Sequence, residues 1–361
     1  MYPTNLSQPY PFDQWWVGAM SHEVGRAPML RTLLGEPVVF YRTEAGRPVA
    51  MQGLCPHRMY PMGRGKLKGD AMECGYHGFT FDSTGACIRI PSQDHVPANF
   101  RARVYPVAER GQWIWIWMGD PERADAGLVP DPPCLFKPGW EMALSRVDTY
   151  PARYQILLDN LFDLSHLGFI HASIVGEVNE IVKEPPVITE TDGIFRVTRD
   201  SKDNPYAGFG DFMFGPGRGT HYDSDVSSDY YGPCLVLSGG GFRIRADRAR
   251  DGGEQYLGSL WFVHAVTPET PRSTHYFGGV SRDFNLGDEA YSRLQVDNYH
   301  AVRDQDIDAL SAIEPWIDTH GNTRKELSAF QDGGAIRVRR MLAAQIEAEM
   351  QRGAASRPVR G

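Results

Sequence analysis

Two short stretches of this chain decide its fold: CPHR at positions 55–58 and CGYHGFTFD at positions 74–82. Each places a cysteine two or three residues before a histidine, as Cys55 and His57 in the first and Cys74 and His77 in the second. In both stretches a strand pattern gives way to turn residues, which predicts two loops at the tip of a β-domain. Such loops would bring two thiolates and two imidazoles to one point.

Three interpretations of these four side chains compete. Buried cysteines with incidental histidines would require both spacings to arise by accident. A structural zinc ion is often held by two cysteines and two histidines. A [2Fe–2S] cluster can be held in the same way, with two histidines replacing two cysteines on one iron, which raises its reduction potential. The likeness of the two pairs favours the cluster, because each loop then gives one ligand to each iron, but cysteine chemistry alone leaves zinc open.

The surrounding patterns predict a chain of two domains and an α+β fold. A Pro-rich stretch at 119–133 indicates the boundary, with residues 1–121 forming a small antiparallel β-domain and residues 122–361 a second domain with an antiparallel sheet and flanking helices. Strands are predicted at 36–42, 47–51, 79–81, 86–90 and 112–118, and in the second domain at 194–198, 234–237, 256–266 and 275–280. Helices are predicted at 152–168, 289–313 and 336–350.

Composition excludes some functions and leaves others open. The 361 residues carry a net charge of −8, which argues against a nucleic-acid partner. The longest strongly apolar run, 113–118, is far shorter than the roughly 18 residues that suggest a membrane span, and the N-terminus has no signal-peptide pattern. A cytoplasmic protein without a membrane partner is therefore expected. Five cysteines, an odd number, disfavour a disulfide framework, and Cys87, Cys134 and Cys234 are expected to take no part in metal binding.

A second group of polar residues lies in the apolar stretch 159–171. Asp159, Asp163 and His166 are spaced by four and three residues, so a continuous helix would place them on one face. His171 lies about 140° further around such a helix. If both histidines bind one metal, the helix must end or bulge between them, and Gly168 is a suitable position for that. A helix with satisfied polar groups is the alternative.

Non-haem Fe(II) that activates O₂ is usually held by two histidines and one carboxylate, so a third ligand is needed. The predicted helix 289–313 offers several aspartates. Asp306 lies on an apolar stripe with Val302, Leu310 and Ile313, whereas Asp304 points about 200° away, toward solvent. Because a buried carboxylate needs a partner, Asp306 is the predicted ligand and Asp304 the fallback.

CPHR and CGYHGFTFD resemble the signature of the Rieske domain in ring-hydroxylating oxygenases. Most of the chain resembles the single-subunit group that includes vanillate O-demethylase and dicamba monooxygenase. The resemblance implies a [2Fe–2S] cluster on Cys55, His57, Cys74 and His77. It also implies Fe(II) on His166, His171 and Asp306, and a homotrimer.

In that resemblance, Asp163 bridges its own His166 and the neighbouring subunit's His77 to carry electrons, and Asn160 occupies a position near the iron. A reductase or ferredoxin would supply the electrons, with NAD(P)H acting only through it. The implied reaction is oxidation by O₂ of a small aromatic substrate, with O-demethylation of a methoxybenzoate-like compound expected first. Hydroxylation of a ring, side chain or N-methyl group is the alternative. A pure electron-transfer Rieske protein and a zinc-binding interaction module are more distant ones.

Substrate contacts are the least determined feature. In the strand pattern at 260–266, His264 shares a face with Phe262, and the resemblance matches this position to a pocket strand. His264 is therefore a candidate substrate-binding residue, although an ordinary core or surface histidine fits the pattern equally well. Arg243 and Arg245 could meet a substrate carboxylate, but surface arginines are the commoner outcome.

Overall fold

Short strands fill the first third of the chain in the computed structural model, which describes residues 8–175, 185–249, 253–320, 324 and 326–355. The residues Tyr10–Val129 and Thr267–Pro271 form one compact unit, here called the N-terminal unit, and the other described residues form the C-terminal unit. The strands of the N-terminal unit are β1 (Trp15–Met20), β2 (Met29–Leu33), β3 (Glu36–Arg42), β4 (Pro48–Gln52), β5 (Lys66–Lys68), β6 (Ala71–Glu73), β7 (Thr80–Phe81), β8 (Cys87–Arg89), β9 (Val104–Tyr105), β10 (Val107–Arg110) and β11 (Trp113–Trp117).

Three small sheets make up this unit, with strand orders β1-β11-β10, β2-β3-β4-β9 and β5-β6-β7-β8. Their pairings are antiparallel. β11 (WIWIW) is the central strand of its sheet and is buried along its whole length, which suits alternating aromatic and β-branched residues. The two cysteine–histidine loops connect β4 to β5 and β6 to β7, as predicted from turn residues at these positions.

The C-terminal unit is built on one large sheet of eight strands. Their order is β12-β19-β18-β17-β16-β15-β14, with β13 also pairing to β19. The pairings from β14 to β18 are antiparallel, as are those of β12 and β13 with β19. These strands are β12 (Glu141–Leu144), β13 (Asp148–Tyr150), β14 (Val187–Thr191), β15 (Ile194–Pro205), β16 (His221–Tyr230), β17 (Leu235–Ile244), β18 (Gln255–Thr270) and β19 (Ser273–Arg282).

Six described α-helices accompany this sheet: α1 (Tyr154–Phe162), α2 (Leu167–Ile170), α3 (Ala172–Val175), α4 (Asp211–Phe214), α5 (Glu289–His320) and α6 (Gly333–Ala355). Phe162, at the end of α1, contacts Phe195 and Tyr230 of the sheet with ring centroids 5.8 and 6.1 Å apart. A bidentate ion pair between Asp159 and Arg339 joins α1 to α6. The predicted α+β class and its antiparallel C-terminal sheet are confirmed, and α5 and α6 run further than the patterns indicated.

The helix predicted at 152–168 is wrong in its extent. α1 ends at Phe162, and Asp163 adopts an extended conformation (φ −113°, ψ 93°). Its carboxylate accepts a hydrogen bond from the Ser165 N–H and so caps a new 3₁₀ turn, Leu164–His166. Aspartate favours this capping role over a helix interior. The break therefore falls at Asp163, while Gly168 lies inside α2, and the three residues predicted to share one helical face do not.

The apolar stripe predicted on the long helix is partly wrong. α5 continues to His320, past Pro315, and its buried face carries Gln295, Tyr299, Arg303, Asp306, Leu310, Glu314 and Ile317. Asp306 does lie on that face. Ile313, however, is 45% exposed. Polar contacts also contribute to the packing of this face. Arg153, next to α1, forms a buried bidentate ion pair with Glu314.

The domain boundary between residues 121 and 122 stays a prediction. Among the residues that the structure describes, no helix combines the length and apolar character needed to cross a bilayer.

We expect Gly240→Ala to destabilise the large sheet. A Cβ at Gly240 in β17 would lie 1.8 Å from the backbone oxygen of Asp225 in β16, and backbone cannot yield as a side chain can. The expected loss is about 2–3 kcal/mol, or a Tm drop of about 5–10 °C in thermal unfolding followed by circular dichroism. Gly333→Ala is the control, since its Cβ would meet only Ile188 Cδ1, at 3.4 Å. Equal melting temperatures for the two variants would contradict this account.

Candidate metal centres

The two loops of the N-terminal unit share one backbone pattern. In the first, the Cys55 N–H donates to the Tyr60 oxygen and the Met59 N–H donates to the Cys55 oxygen. The second loop, residues 74–79, repeats both bonds at the same offsets, with Gly78 in the place of Met59. Met59 and Gly78 both have positive φ, 54° and 71°. Such a conformation is natural for glycine but strained for methionine. Only the second loop, which has glycine at this position, therefore predicts the turn from its sequence.

Together the loops place like donors side by side. Cys55 and Cys74 are buried, reduced and hydrogen-bonded to one another through their thiols. The imidazoles of His57 and His77 are exposed at the tip, with ring centroids 4.8 Å apart. His57 also stacks on Phe79 at 4.5 Å. The four side chains therefore form one thiol pair and one imidazole pair.

Burial raises the pKa of Cys55 to about 11, and the neighbouring Cys74 contributes to this rise. A thiol that ionises so poorly makes a weak nucleophile. A bound metal would reverse this, because it favours the thiolate. The donor chemistry thus fits a group with two thiolate ligands on one side and two neutral imidazoles on the other, which is the ligand division of a histidine-containing [2Fe–2S] cluster.

The C-terminal unit gathers a second set of donors. One ligand atom each from His166, His171 and Asp306 lies within 4.8 Å of the others. The Nε2 atoms of His171 and His166 lie 3.2 and 3.7 Å from the same Asp306 oxygen, Oδ1. His171 is fully buried, and its Nε2 has no hydrogen-bond partner among the described residues.

Hydrogen bonds at the far side of each ring fix which nitrogen faces Asp306. The Nδ1 of His171 lies 2.8 Å from the Gln305 Oε1, and the Nδ1 of His166 lies 2.5 Å from the Asp163 main-chain oxygen. Gln305 is itself oriented by the bond from its Nε2 to the Ser173 Oγ. Because both partners are acceptors, each Nδ1 carries the proton and each Nε2 keeps its lone pair. Two lone pairs and a carboxylate oxygen converging in this way fit a divalent metal.

Electrostatics at this site differ for the two histidines. Burial lowers the pKa of both rings, but for His171 the adjacent Asp306 carboxylate outweighs burial and the pKa is raised. For His166 burial prevails and the pKa is lowered, although the Asp306 charge opposes it. Asp306 is thus the charge that most affects the pKa values of His166 and His171.

Other residues singled out in the sequence take positions around this group. The Asn160 amide nitrogen donates to Asp306 Oδ1 at 3.0 Å, so Asn160 holds the carboxylate. Asp163 contacts His166 through its main-chain oxygen, while its carboxylate caps Ser165. Asp304 instead points outward and pairs with Arg146 at 2.9 Å.

His264 lies on β18 and is only 8% exposed. Its Nδ1 is hydrogen-bonded to the Tyr276 hydroxyl, and its Nε2 lacks a partner within the described part of the chain. Arg243 and Arg245 lie at the surface, where they pair with Asp225 and Asp203.

The sequence interpretation missed several residues beside the second site. Gln305 precedes Asp306 in the chain and orients His171. Tyr150, Tyr276 and Tyr299 form a buried cluster, and the Arg303 guanidinium stacks over the latter two rings at 4.9 and 5.3 Å. Arg303 could have pointed to this cluster from the sequence, because it is a charged residue one helical turn before Asp306 on the same helix face.

Two family models match the chain. Residues 14–104 match the Rieske [2Fe-2S] domain, and residues 150–348, more than half of the chain, match the vanillate O-demethylase oxygenase C-terminal domain.

Similar proteins agree with these matches. The chain is 32% identical to the putative toluene-4-sulfonate monooxygenase system iron-sulfur subunit TsaM2 of Comamonas testosteroni, over 77% of this chain and 80% of that protein. It is 31% identical to the dicamba O-demethylase oxygenase component of Stenotrophomonas maltophilia, over 91% and 95%. The structure of dicamba monooxygenase bound to 3,6-dichlorosalicylic acid superimposes with a TM-score of 0.83 at 28% identity, covering 96% of this chain and 99% of that one. On this evidence the chain belongs to the Rieske oxygenase family, in the group whose C-terminal domain is that of the vanillate O-demethylase oxygenase.

Proposed function

We propose that this protein is the oxygenase component of a Rieske monooxygenase, which uses O₂ and externally supplied electrons to oxidise a small aromatic substrate. O-demethylation of a methoxybenzoate-like compound is the proposed reaction. The observation that carries the proposal is the convergence of the His166 and His171 Nε2 atoms on one oxygen of Asp306. An electron-transfer protein or a zinc-binding module would have no use for this second set of donors.

In the N-terminal unit we propose that Cys55 and Cys74 bind one iron of a [2Fe–2S] cluster, and that His57 and His77 bind the other. The pairing of thiol with thiol and imidazole with imidazole supports this. Zinc would accept the same four ligands, so metal analysis is the deciding measurement. The other three cysteines are buried, and we propose no metal role for them: Cys87, Cys134 and Cys234.

At the second site we propose His166, His171 and Asp306 as ligands of Fe(II). When bound, this metal supplies the O₂ chemistry of the family, since three protein ligands leave coordination positions open. The chain's own contribution is to hold the donors ready: Gln305 orients His171, the Asp163 carbonyl orients His166, and Asn160 steadies Asp306. Full burial of His171 keeps water from its donor atom. Asn160 therefore acts as a positioning residue rather than a ligand.

We propose a homotrimer in which electrons pass between subunits through His77 of one chain and Asp163 of the next. His77 is exposed at the loop tip, and the large apolar side chains of Met59 and Tyr76 beside it are 74% and 59% exposed. Phe169, between the two iron-site histidines, is 75% exposed. Apolar surface of this kind supports burial against another chain. The Asp163 carboxylate accepts a hydrogen bond from the Ser165 N–H and has lone pairs left to accept another.

The electron donor is proposed to be a separate reductase or ferredoxin, with NAD(P)H acting only through it. Relatives described as an oxygenase component and as an iron-sulfur subunit of a monooxygenase system support this division. A cytoplasmic location and the lack of nucleic-acid or membrane partners remain predictions from the sequence.

The substrate class rests on two kinds of support. The relatives are named for dicamba, vanillate and toluene-4-sulfonate. Within this chain, the half-buried Phe262 stacks on Tyr299, and His264 lies on the same strand face. We propose His264 as a substrate contact. The second candidate reaction, oxidation at an N-alkyl group, is favoured by 30% identity over 93% of this chain to the chloroacetanilide N-alkylformylase oxygenase component of Rhizorhabdus wittichii.

The reaction is tested by formaldehyde release. The purified protein, a surrogate reductase and NADH are incubated with a panel of methoxybenzoates, and formaldehyde and phenol are measured together. We expect equal amounts of the two products, because hydroxylation of the methoxy carbon gives a hemiacetal that separates into them. Oxidised product without formaldehyde across the panel would instead favour ring or side-chain hydroxylation, and no oxidation of any aromatic compound would overturn the proposal.

The ligand assignments are tested by a reciprocal pair of variants. We expect Asp306→Ala to lose the mononuclear iron and keep the visible cluster spectrum, and Cys74→Ser to bleach the cluster. Iron content and absorbance on the same samples measure both. Asp304→Asn, which changes an exposed carboxylate on the same helix, should keep both centres and turnover. If Asp306→Ala keeps the mononuclear iron and Asp304→Asn loses it, Asp304 is the carboxylate ligand instead.

The intersubunit route is tested with Asp163→Asn. The amide keeps the shape and can still accept from Ser165, but it removes the charge. We expect both metal centres to remain and product formation to fall roughly hundredfold, measured as single-turnover product from the reduced protein. Asp159→Asn, one helical turn earlier and paired with Arg339, is the control. Normal turnover in Asp163→Asn, or full activity of a monomer at high dilution, would overturn this route.

A further inference from the structure

Arg199, on β15, is a buried charge without a full set of partners. It is only 6% exposed, and its Nε and Nη1 atoms have no hydrogen-bond partner within the described part of the chain. The hydrogen bond that it does make runs from Nη2 to the Phe162 carbonyl oxygen, at 3.0 Å. Because a charge buried in this way is costly, we expect it to have a function.

The other buried arginines of the described residues all have a carboxylate partner. These ion pairs are Arg153–Glu314, Arg282–Glu141 and Arg303–Asp148. Arg199 forms no ion pair of this kind with any residue that the structure describes. The fold therefore balances its buried guanidinium groups directly elsewhere, and Arg199 is the exception.

The position of Arg199 does not require a charge. The last two carbonyls of α1, those of Leu161 and Phe162, both accept hydrogen bonds from side chains of the sheet. Ser228, on β16, donates from its Oγ to the Leu161 oxygen at 2.9 Å, and Arg199 donates to the Phe162 oxygen. An uncharged hydroxyl is thus enough for one carbonyl of this helix end. The guanidinium at the other carbonyl adds a charge that the hydrogen bond alone does not need.

This charge lies beside the turn that carries the candidate iron site. Phe162 is followed by Asp163, whose own carbonyl oxygen lies 2.5 Å from the His166 Nδ1. Burial lowers the pKa of Arg199 to about 10, and the Asp163 charge opposes that fall. The guanidinium is therefore protonated at neutral pH, and the anion that acts on it is the carboxylate of the proposed electron route.

We propose that Arg199 is a positioning residue whose buried charge raises the reduction potential of the iron proposed at His166. The inference rests on the proposed function, since it takes that metal to be an iron that receives electrons past Asp163. Negative charge on Asp163 and Asp306 opposes the arrival of an electron, and Arg199 offsets part of it. A fixed positive charge also interacts less unfavourably with Fe(II) than with Fe(III), because Fe(II) carries one positive charge fewer.

The test is a redox titration of the holoenzyme without substrate, in which electron paramagnetic resonance follows the ferric signal of the mononuclear iron. At the wild-type midpoint potential, we expect Arg199→Gln to lower the ratio of Fe(II) to Fe(III) about tenfold, which is about 59 mV for one electron. An effect of this size is expected because a unit charge in a protein interior still acts over about 10 Å. Glutamine keeps a donor for the Phe162 carbonyl and removes the charge.

Two control variants separate the charge from the packing. Ser228→Ala removes the hydrogen bond to the other carbonyl of the helix end and changes no charge. Arg243→Gln removes a solvent-exposed charge from the same sheet, where water screens it. Both should keep the wild-type ratio of Fe(II) to Fe(III). If Ser228→Ala lowers the ratio as much as Arg199→Gln does, Arg199 has only a structural role and the inference is wrong.

Arg199→Lys allows the charge to be removed by pH within one variant. Burial commonly lowers the pKa of a lysine by several units, so the substituted side chain should lose its proton between about pH 6 and about pH 9.5. Relative to the wild type at the same pH, the ratio of Fe(II) to Fe(III) should fall over this range from about one to about one-tenth. This variant also provides the test if Arg199→Gln does not fold.

The outcomes distinguish this inference from the proposed function. A wild-type ratio in Arg199→Gln overturns the inference alone, because mononuclear iron is then present and the proposed function still stands. If the glutamine variant does not fold, a relative ratio that stays near one at every pH in Arg199→Lys has the same meaning. A wild-type protein that binds no mononuclear iron would instead overturn the proposed function, and this inference with it.

Discussion

A single buried carboxylate, that of Asp306, is the charge on which the C-terminal site depends. Two imidazole lone pairs and an amide N–H are directed at one of its oxygens. Lone pairs of His166 and His171 cannot approach a carboxylate favourably unless a cation lies between them. A proton on His171 relieves part of this repulsion, which explains why its pKa rises despite burial. A divalent metal would relieve all of it, so the geometry of this donor set fits a divalent metal.

The donors converge because their far sides are tethered. Asp163 interrupts α1, and the turn that follows carries His166 back toward α5, where the Asp163 carbonyl fixes its ring. Gln305 does the same for His171 from the helix that provides Asp306. Each tether is an acceptor at Nδ1, which leaves the Nε2 lone pair available to a metal. A continuous helix through residue 168 would have separated these groups.

The two candidate centres differ in exposure, and their chemistry explains why. His57 and His77 are exposed at the loop tips, as suits groups that exchange electrons with other proteins. His171 and His264 are buried, as suits a site that activates O₂ and must exclude water. The polar cluster of Tyr276, Tyr299 and Arg303 lies beside His264 in the core and joins a strand of the sheet to α5.

The sequence by itself determined the α+β class, nine of the nineteen described strands, and which residue types could bind metal. Cysteine–histidine spacing and alternating strands are local properties, and Asp306 could be chosen because helical periodicity is local too. Only the tertiary structure decided where α1 ends, because the cap at Asp163 competes with helix continuation. It also decided that Ile313 faces outward while Arg303 and Glu314 face inward, since their buried partners, Ser145 and Arg153, lie more than 150 residues away. The hydrogen-bond partners of buried polar atoms were decided in the same way, because they depend on contacts between distant segments.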